Sequence, residues 1–172
     1  MSMPDTMRAM VTMGHGDLDQ LVLHEDWPLP DPAPGEVLIR VGACGLNNTD
    51  VNTRTGWYSK AVSEATTGGP YDTVHDDDPT WGGAPISFPR IQGADVCGQI
   101  VAVGDGVDPS RISERVITDN WLRDPEDPGN KDKTGYLGSE RDGGFAEYTS
   151  IPAANALAVK SAFSDAELAT FS

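Results

Sequence analysis

The chain has little of what a disulfide scaffold, a nucleic-acid binder or a membrane span requires. Its 172 residues include 2 cysteines, Cys44 and Cys97. Two thiols in a chain of this size read as reduced, buried small side chains, which excludes a disulfide framework. Basic residues are scarce: 12 Lys and Arg stand against 27 Asp and Glu, a formal charge of −15. That charge repels phosphate backbones and anionic membranes, so nucleic acid is excluded as a partner and no membrane partner is expected. No stretch approaches the roughly 18 apolar residues of a membrane span, and Met1 to Met13 has no basic-then-apolar run of the signal-peptide kind. The expected location is the cytoplasm. A P-loop, a Gly-x-Ser-x-Gly elbow and an internal repeat are also missing.

What is present is the punctuation of short strands. With 38% hydrophobic residues the chain can bury one core, and its length suits one domain better than two. Met7 to Met13 and Leu21 to His24 read as a hairpin joined through Gly14-His15-Gly16-Asp17. Trp27 to Gly35 carries four prolines, which cannot donate to a ladder and predict a rigid extended crossing. Glu36 to Ala43 alternates, with Val37, Ile39, Val41 and Ala43 on one face and Arg40 on the other, as a half-buried strand should. Asn47 to Asp50 supplies cap formers for a short helix. Ser59 to Pro89 loses periodicity and reads as a long acidic loop insertion, of the kind that is a functional lid or poorly ordered. Strand-like runs return at Asp95 to Val103, Glu114 to Thr118, Phe145 to Ile151 and Ala156 to Lys160, after a polar stretch from Asp124 to Gly144. Ser164-Asp165-Ala166-Glu167 is a capping box that predicts a helix starting over 164–172.

Several other signals have plainer readings. His15, His24 and His75 are not spaced as ligand pairs and read as surface or turn histidines. Asp76-Asp77-Asp78 lacks the alternating spacing and closing glutamate of a calcium loop and reads as a solvated acidic face. Gly14-His15-Gly16 and Gly104-Asp105-Gly106 lack the third glycine of a dinucleotide fingerprint and read as turns.

Three segments together resemble the medium-chain dehydrogenase/reductase superfamily, which holds the zinc-type alcohol dehydrogenases and the quinone oxidoreductases. They are Ala43-Cys44-Gly45-Leu46-Asn47-Asn48-Thr49-Asp50, then Pro89 through Gly104, then Gly143-Gly144-Phe145-Ala146-Glu147-Tyr148. The resemblance implies a mainly β, GroES-like, partly open barrel with a few short helices over residues 1–172. It also implies that the nucleotide-binding Rossmann domain, to which the 164–172 helix would lead, is absent from this chain.

Within that superfamily the zinc enzymes have a liganding cysteine where this chain has Asn47, and the histidine of a Gly-His-Glu motif where it reads Gly93-Ala94-Asp95. A catalytic zinc needs three such protein ligands, so no zinc is expected. Cys44 stands three residues before Asn47 and reads as structural. Gly45, Leu46, Asn47, Asp50, Arg54, Gly56 and Tyr58 are similar instead to the zinc-independent quinone oxidoreductases and enone reductases. The implied activity is hydride transfer from NAD(P)H, with NADPH favoured, to a small-molecule carbonyl, enone or quinone, by a longer parent enzyme; the isolated chain would have little activity. Dimers of this superfamily often join through the Rossmann sheet, so a homodimer of the parent is one option and the oligomeric state stays open. Asn47 is implied in cofactor binding. Arg54 either meets a cofactor phosphate or ribose or pairs with a nearby acid. Tyr58 lines the nicotinamide pocket, gives a proton, or plugs the barrel mouth. Asp50, Gly93 and Asp95 are motif positions, Asp50 as a helix cap. The competing readings are a zinc-dependent alcohol dehydrogenase-like enzyme and a stand-alone GroES-like binding module.

Overall fold

The computed structural model describes residues 3–57, 86–130 and 133–171. Most of the predicted 59–89 acidic loop, and Tyr58 with it, lies outside the described residues.

The N-terminal hairpin forms as the turn residues require. β1 (Thr6–Thr12) pairs antiparallel with β2 (Leu21–Pro28). Asp17 caps a single 3-10 turn at Leu18–Gln20 between them. β2 outruns the predicted strand: Trp27 and Pro28 still pair with Met7 and Thr6. Pro28 is tolerated there because β2 is the sheet edge, where a missing N–H costs no ladder bond. On its other side β1 pairs with β4 (Arg90–Ile91).

The second sheet has five antiparallel strands. In it β3 (Glu36–Gly45) lies between the central β5 (Asp95–Val103) and the edge strand β9 (Tyr148–Pro152), with β6 (Arg115–Thr118) and β10 (Ala156–Ala158) beyond β5. Val37, Ile39, Val96, Ile100, Val116 and Ile151 face one core. Burying each such side chain contributes roughly 1.5–3 kcal/mol. Leu38, on the face opposite Val37 and Ile39, is buried as well, and the β3–β5 register slips between Leu38 and Ile39. A two-strand ribbon, β7 (Trp121–Leu122) with β8 (Gly135–Tyr136), lies partly inside the stretch that reads as merely polar, held by the edge-on Trp121–Tyr136 ring pair.

One segment curls the two sheets into a partly open barrel. Phe145 to Glu147 bonds to β1 through Met10 N–H to the Phe145 carbonyl (2.8 Å) and Glu147 N–H to the Arg8 carbonyl (3.1 Å). The chain then runs straight into β9 alongside β3. A smaller cluster of Met7, Ala9, Val11 and Ile91 fills the seam.

Among the described residues, two short α-helices complete the architecture: α1 (Asn48–Arg54) and α2 (Asp165–Leu168). The predicted capping box of α2 is present, Ser164 and Glu167 bonding reciprocally. A helix this short is not stable alone. Here Leu168 and Ala169 pack on Cys97 of β5, and Arg115 Nε donates to Asp165 at 2.7 Å. Among the described residues no helix is long and apolar enough to cross a membrane.

A candidate active site at the end of β3

Asn47 leaves the end of β3 in extended conformation (φ −124°, ψ 156°) and caps α1. Its Oδ1 accepts from Thr49 N–H at 3.2 Å, and its own backbone N–H donates to Asp50 Oδ2 at 2.9 Å. Asp50 therefore does cap the helix. It also reaches across to β4–β5: Oδ1 accepts from Gly93 N–H at 3.0 Å, while Gln92 Nε2 donates to the Asp50 carbonyl at 2.9 Å. Thr12 Oγ1 donates to Gln92 Oε1 at 2.8 Å. This chain of bonds ties β1, the 92–93 turn and α1 together.

Gly93 makes that turn possible. Its φ is +93°, and a Cβ there would meet Phe145 Cδ1 at 2.6 Å and Cys44 Sγ at 2.7 Å. Two residues on, Asp95 is paired with Gly45 across β3–β5 and is buried. Its Oδ2 accepts from Asn47 Nδ2 at 3.1 Å and its Oδ1 from Asn120 Nδ2 at 2.8 Å. Asn120, also buried, lies just past β6, with its Oδ1 3.0 Å from Thr118 Oγ1. Thus Asn47, Asp50, Gly93 and Asp95, four positions separately singled out in the sequence, form one connected site.

The electrostatics are those of a buried acidic recess. Burial raises the Asp50 carboxyl above its ordinary value, opposed by the N–H bonds from Asn47 and Gly93. Burial likewise pushes the Cys44 thiol strongly up, and the nearby Asp50 and Asp95 charges add to it. Cys44 is therefore held as a protonated thiol, its Sγ packed near the Gly45 carbonyl at 3.7 Å. Ala94 is buried and brings no donor. Among the described residues no group of three or more His, Cys, Asp or Glu side chains is placed to hold a metal ion.

Arg54 points away from this network. Its buried guanidinium donates from Nη1 to the Gly16 carbonyl at 2.5 Å and stands 3.9 Å from Asp17. His15 joins the same clamp, its Nδ1 3.1 Å from the Thr53 carbonyl and its ring edge-on to Phe88. Asn120, Thr118 and Gln92 belong to the site without having been picked from sequence. The only signal for Asn120 was a polar Thr-Asp-Asn run closing a strand, which by itself reads as a turn.

Residues 33–161 match the family model of the alcohol dehydrogenase GroES-like domain. The chain belongs to this family. A provisionally assigned alcohol dehydrogenase of Sinorhizobium meliloti 1021 superposes with a TM-score of 0.79 at 45% identity, over 98% of this chain and 44% of that one. An NAD-dependent alcohol dehydrogenase of Sulfolobus acidocaldarius is 26% identical over 85% of this chain and 38% of its own length. The human quinone oxidoreductase is 30% identical over 67% of this chain and 28% of its own. The chain thus spans less than half the length of each of these relatives. Its curled, mainly β architecture is the GroES-like barrel of the medium-chain dehydrogenases and reductases.

Proposed function

We propose that this GroES-like domain is the substrate-side part of a nicotinamide-dependent oxidoreductase that works without a catalytic zinc, reducing a small carbonyl, enone or quinone. The observation that carries the reading is the donor set at the end of β3. It consists of the amide of Asn47, the amide of Asn120 and the Asp95 carboxylate between them. Zinc in such enzymes is held by thiolate, imidazole and carboxylate groups. Here an amide stands at 47 where a thiolate would be needed, the buried Ala94 brings no donor, and the Asp95 carboxylate already accepts from two amides, so these residues do not fit the metal.

A nicotinamide, when bound, supplies the hydride. The protein's part is then orientation and a proton. Asn47 is exposed, and with Oδ1 and one N–H committed it has one N–H left to offer a carbonyl or carboxamide oxygen. Arg54, through Gly16, holds the C-terminal end of α1, opposite the Asn47 cap. The proton that completes reduction of a C=C or C=O bond is assigned to the Tyr58 hydroxyl. NADPH is the favoured reductant.

The test is a longer polypeptide carrying this domain with its nucleotide-binding part. Reduction of a quinone or enone by NADPH should survive dialysis against a chelator, and Tyr58→Phe should lower kcat more than it raises KM. Stoichiometric zinc, lost together with activity on Cys44→Ala, would overturn the reading in favour of a zinc alcohol dehydrogenase.

A further inference from the structure

Asn47 has a side chain whose two ends are chemically opposite, and which end meets a ligand depends on how the amide is turned. In the structure its Oδ1 accepts from Thr49 N–H and its Nδ2 donates to Asp95 Oδ2. Rotating the amide by half a turn would set Oδ1 against the Asp95 carboxylate and forfeit both bonds. The cap and Asp95 thus favour the same orientation, the cap engaging Oδ1 and Asp95 engaging the Nδ2 end. Asp95 is in turn fixed by its second oxygen, which accepts from Asn120 Nδ2 at 2.8 Å. Asn120 is anchored on both sides. Its Oδ1 is 3.0 Å from Thr118 Oγ1, and its carbonyl accepts from Leu137 N–H at 3.1 Å. Thr118 Oγ1 itself accepts from Val96 N–H at 3.1 Å.

A carboxylate in this position is costly. Asp95 is 7% exposed, and among the described residues none of the ion pairs includes it. Desolvating a charge without a cation is strongly unfavourable unless hydrogen bonds compensate, and a pair of apolar residues would have filled the same space. What the carboxylate adds is polarity: it holds two amides with their N–H groups turned inward and their identities fixed.

We infer that Asn120 is a positioning residue which, through Asp95, locks Asn47 as a hydrogen-bond donor, so that the site takes a neutral carbonyl oxygen and disfavours an anionic group. The inference rests on the proposed function in giving Asn47 a ligand. The ligand chemistry is an uncharged C=O, supplied either by the substrate or by the carboxamide of the cofactor. An anion such as a carboxylate would meet the Asp95 charge directly behind the donor, with Asp50 close by.

The experiment has two arms. In the 172-residue chain, the side-chain amide resonances of Asn47 report its hydrogen bonding by NMR. Asn120→Leu should bring the two Asn47 Nδ2 protons towards the shifts of a free amide, while the backbone amides of Thr49 and Gly93 keep their positions. The exchanged pair, Asp95→Asn with Asn120→Asp, should restore the wild-type separation. In that pair the amide introduced at position 95 can still accept from Asn47 Nδ2 through its oxygen, and can donate through its nitrogen to the carboxylate introduced at position 120. If Asn120→Leu does not fold, Asn120→Ala takes its place in the comparison.

In the longer enzyme, Asn47→Ala and Asn120→Leu should each lower kcat/KM by about three- to tenfold, the worth of one neutral hydrogen bond, and the exchanged pair should recover most of it. A loss in substrate KM assigns the oxygen to the substrate; a loss in cofactor Kd assigns it to the carboxamide. Unchanged Asn47 resonances in a folded Asn120→Leu variant, or an exchanged pair that fails to restore them, would overturn the positioning role. Resonances that move as expected with kinetics that do not respond even to Asn47→Ala would instead overturn the ligand role given to Asn47.

Discussion

Gly93 links the geometry of the site to the stability of the fold, and replacing it by alanine separates two costs that usually come together. The residue has φ +93°, where an L side chain is strained by about 1–2 kcal/mol. A new Cβ would also lie 2.6 Å from the Phe145 ring and 2.7 Å from Cys44 Sγ, neither of which is the far end of a flexible side chain. Such overpacking costs a further ~1–3 kcal/mol. Against this, alanine restricts the unfolded chain and returns about 0.4–1 kcal/mol. The net expectation for Gly93→Ala is a loss of roughly 2–4 kcal/mol. Gly106 provides the control, because it shares the positive φ (+83°) but a Cβ there meets nothing within 4 Å. Gly106→Ala should lose only about 1 kcal/mol, the strain less the entropy returned. Urea unfolding of both variants at neutral pH, followed by fluorescence and compared at equal m-values, measures the difference. Losses that agree within about 0.5 kcal/mol would mean that Phe145 and Cys44 are not tightly packed against the 92–93 turn, and would refute the steric cost assigned to the new Cβ.

The remaining predictions concern charge. Arg141 grips Glu36 through two bonds of 2.6 and 2.7 Å and also donates to the Ser150 carbonyl, tying β3 to β9. Arg141→Met should cost about 2–3 kcal/mol at pH 7, since the pair is only partly exposed. Arg141 lowers the Glu36 carboxyl below its ordinary 4.5, so this stabilisation is fully present above 4.5 and fades as pH falls through the lower folded value. The wild-type advantage in urea unfolding should therefore shrink in acid, and an advantage that stays constant to pH 2 would contradict the assignment. Burial, with Asp165 beside it, pushes the Cys97 thiol up to about 11 from 9.0, so at pH 8 its alkylation should run at least ~100-fold slower in the folded chain than in urea. With a formal charge of −15, the thermal midpoint should rise with added sodium chloride as self-repulsion is screened; a flat or falling response would argue against that repulsion.

Local rules made much of the barrel legible. The alternation of Val37, Ile39 and Val41 marked β3, Gly-rich turns bounded β1 and β5, and the Ser164–Glu167 box marked α2, because each depends on neighbours within a few residues. The extension of β2 through Trp27 and Pro28 escaped that reading, since only the edge position of the strand makes a proline harmless there. The β7–β8 ribbon escaped it too. Its strands are two residues each, and what holds them is the contact of Trp121 with Tyr136 across the intervening loop.

The site divides along the same line. Asn47 and Asp50 were visible as a cap, and Gly93 and Asp95 as a motif, but their joining depends on bonds that span more than forty residues: Asp50 to Gly93, and Asn47 to Asp95. Asn120 carried only the signature of a turn, because its role comes from the carboxylate it meets. A metal site can often be read from ligand spacing, since the ion demands particular side chains. A hydrogen-bonded site in its place makes a weaker demand on sequence, since any suitably placed amide will serve, and a stronger one on structure, since every donor must face its acceptor. That is why Asn47 and Ala94 pointed from sequence to the expectation of a site without zinc, while the amides and carboxylate that meet there became visible only with β3, β5 and β6 side by side.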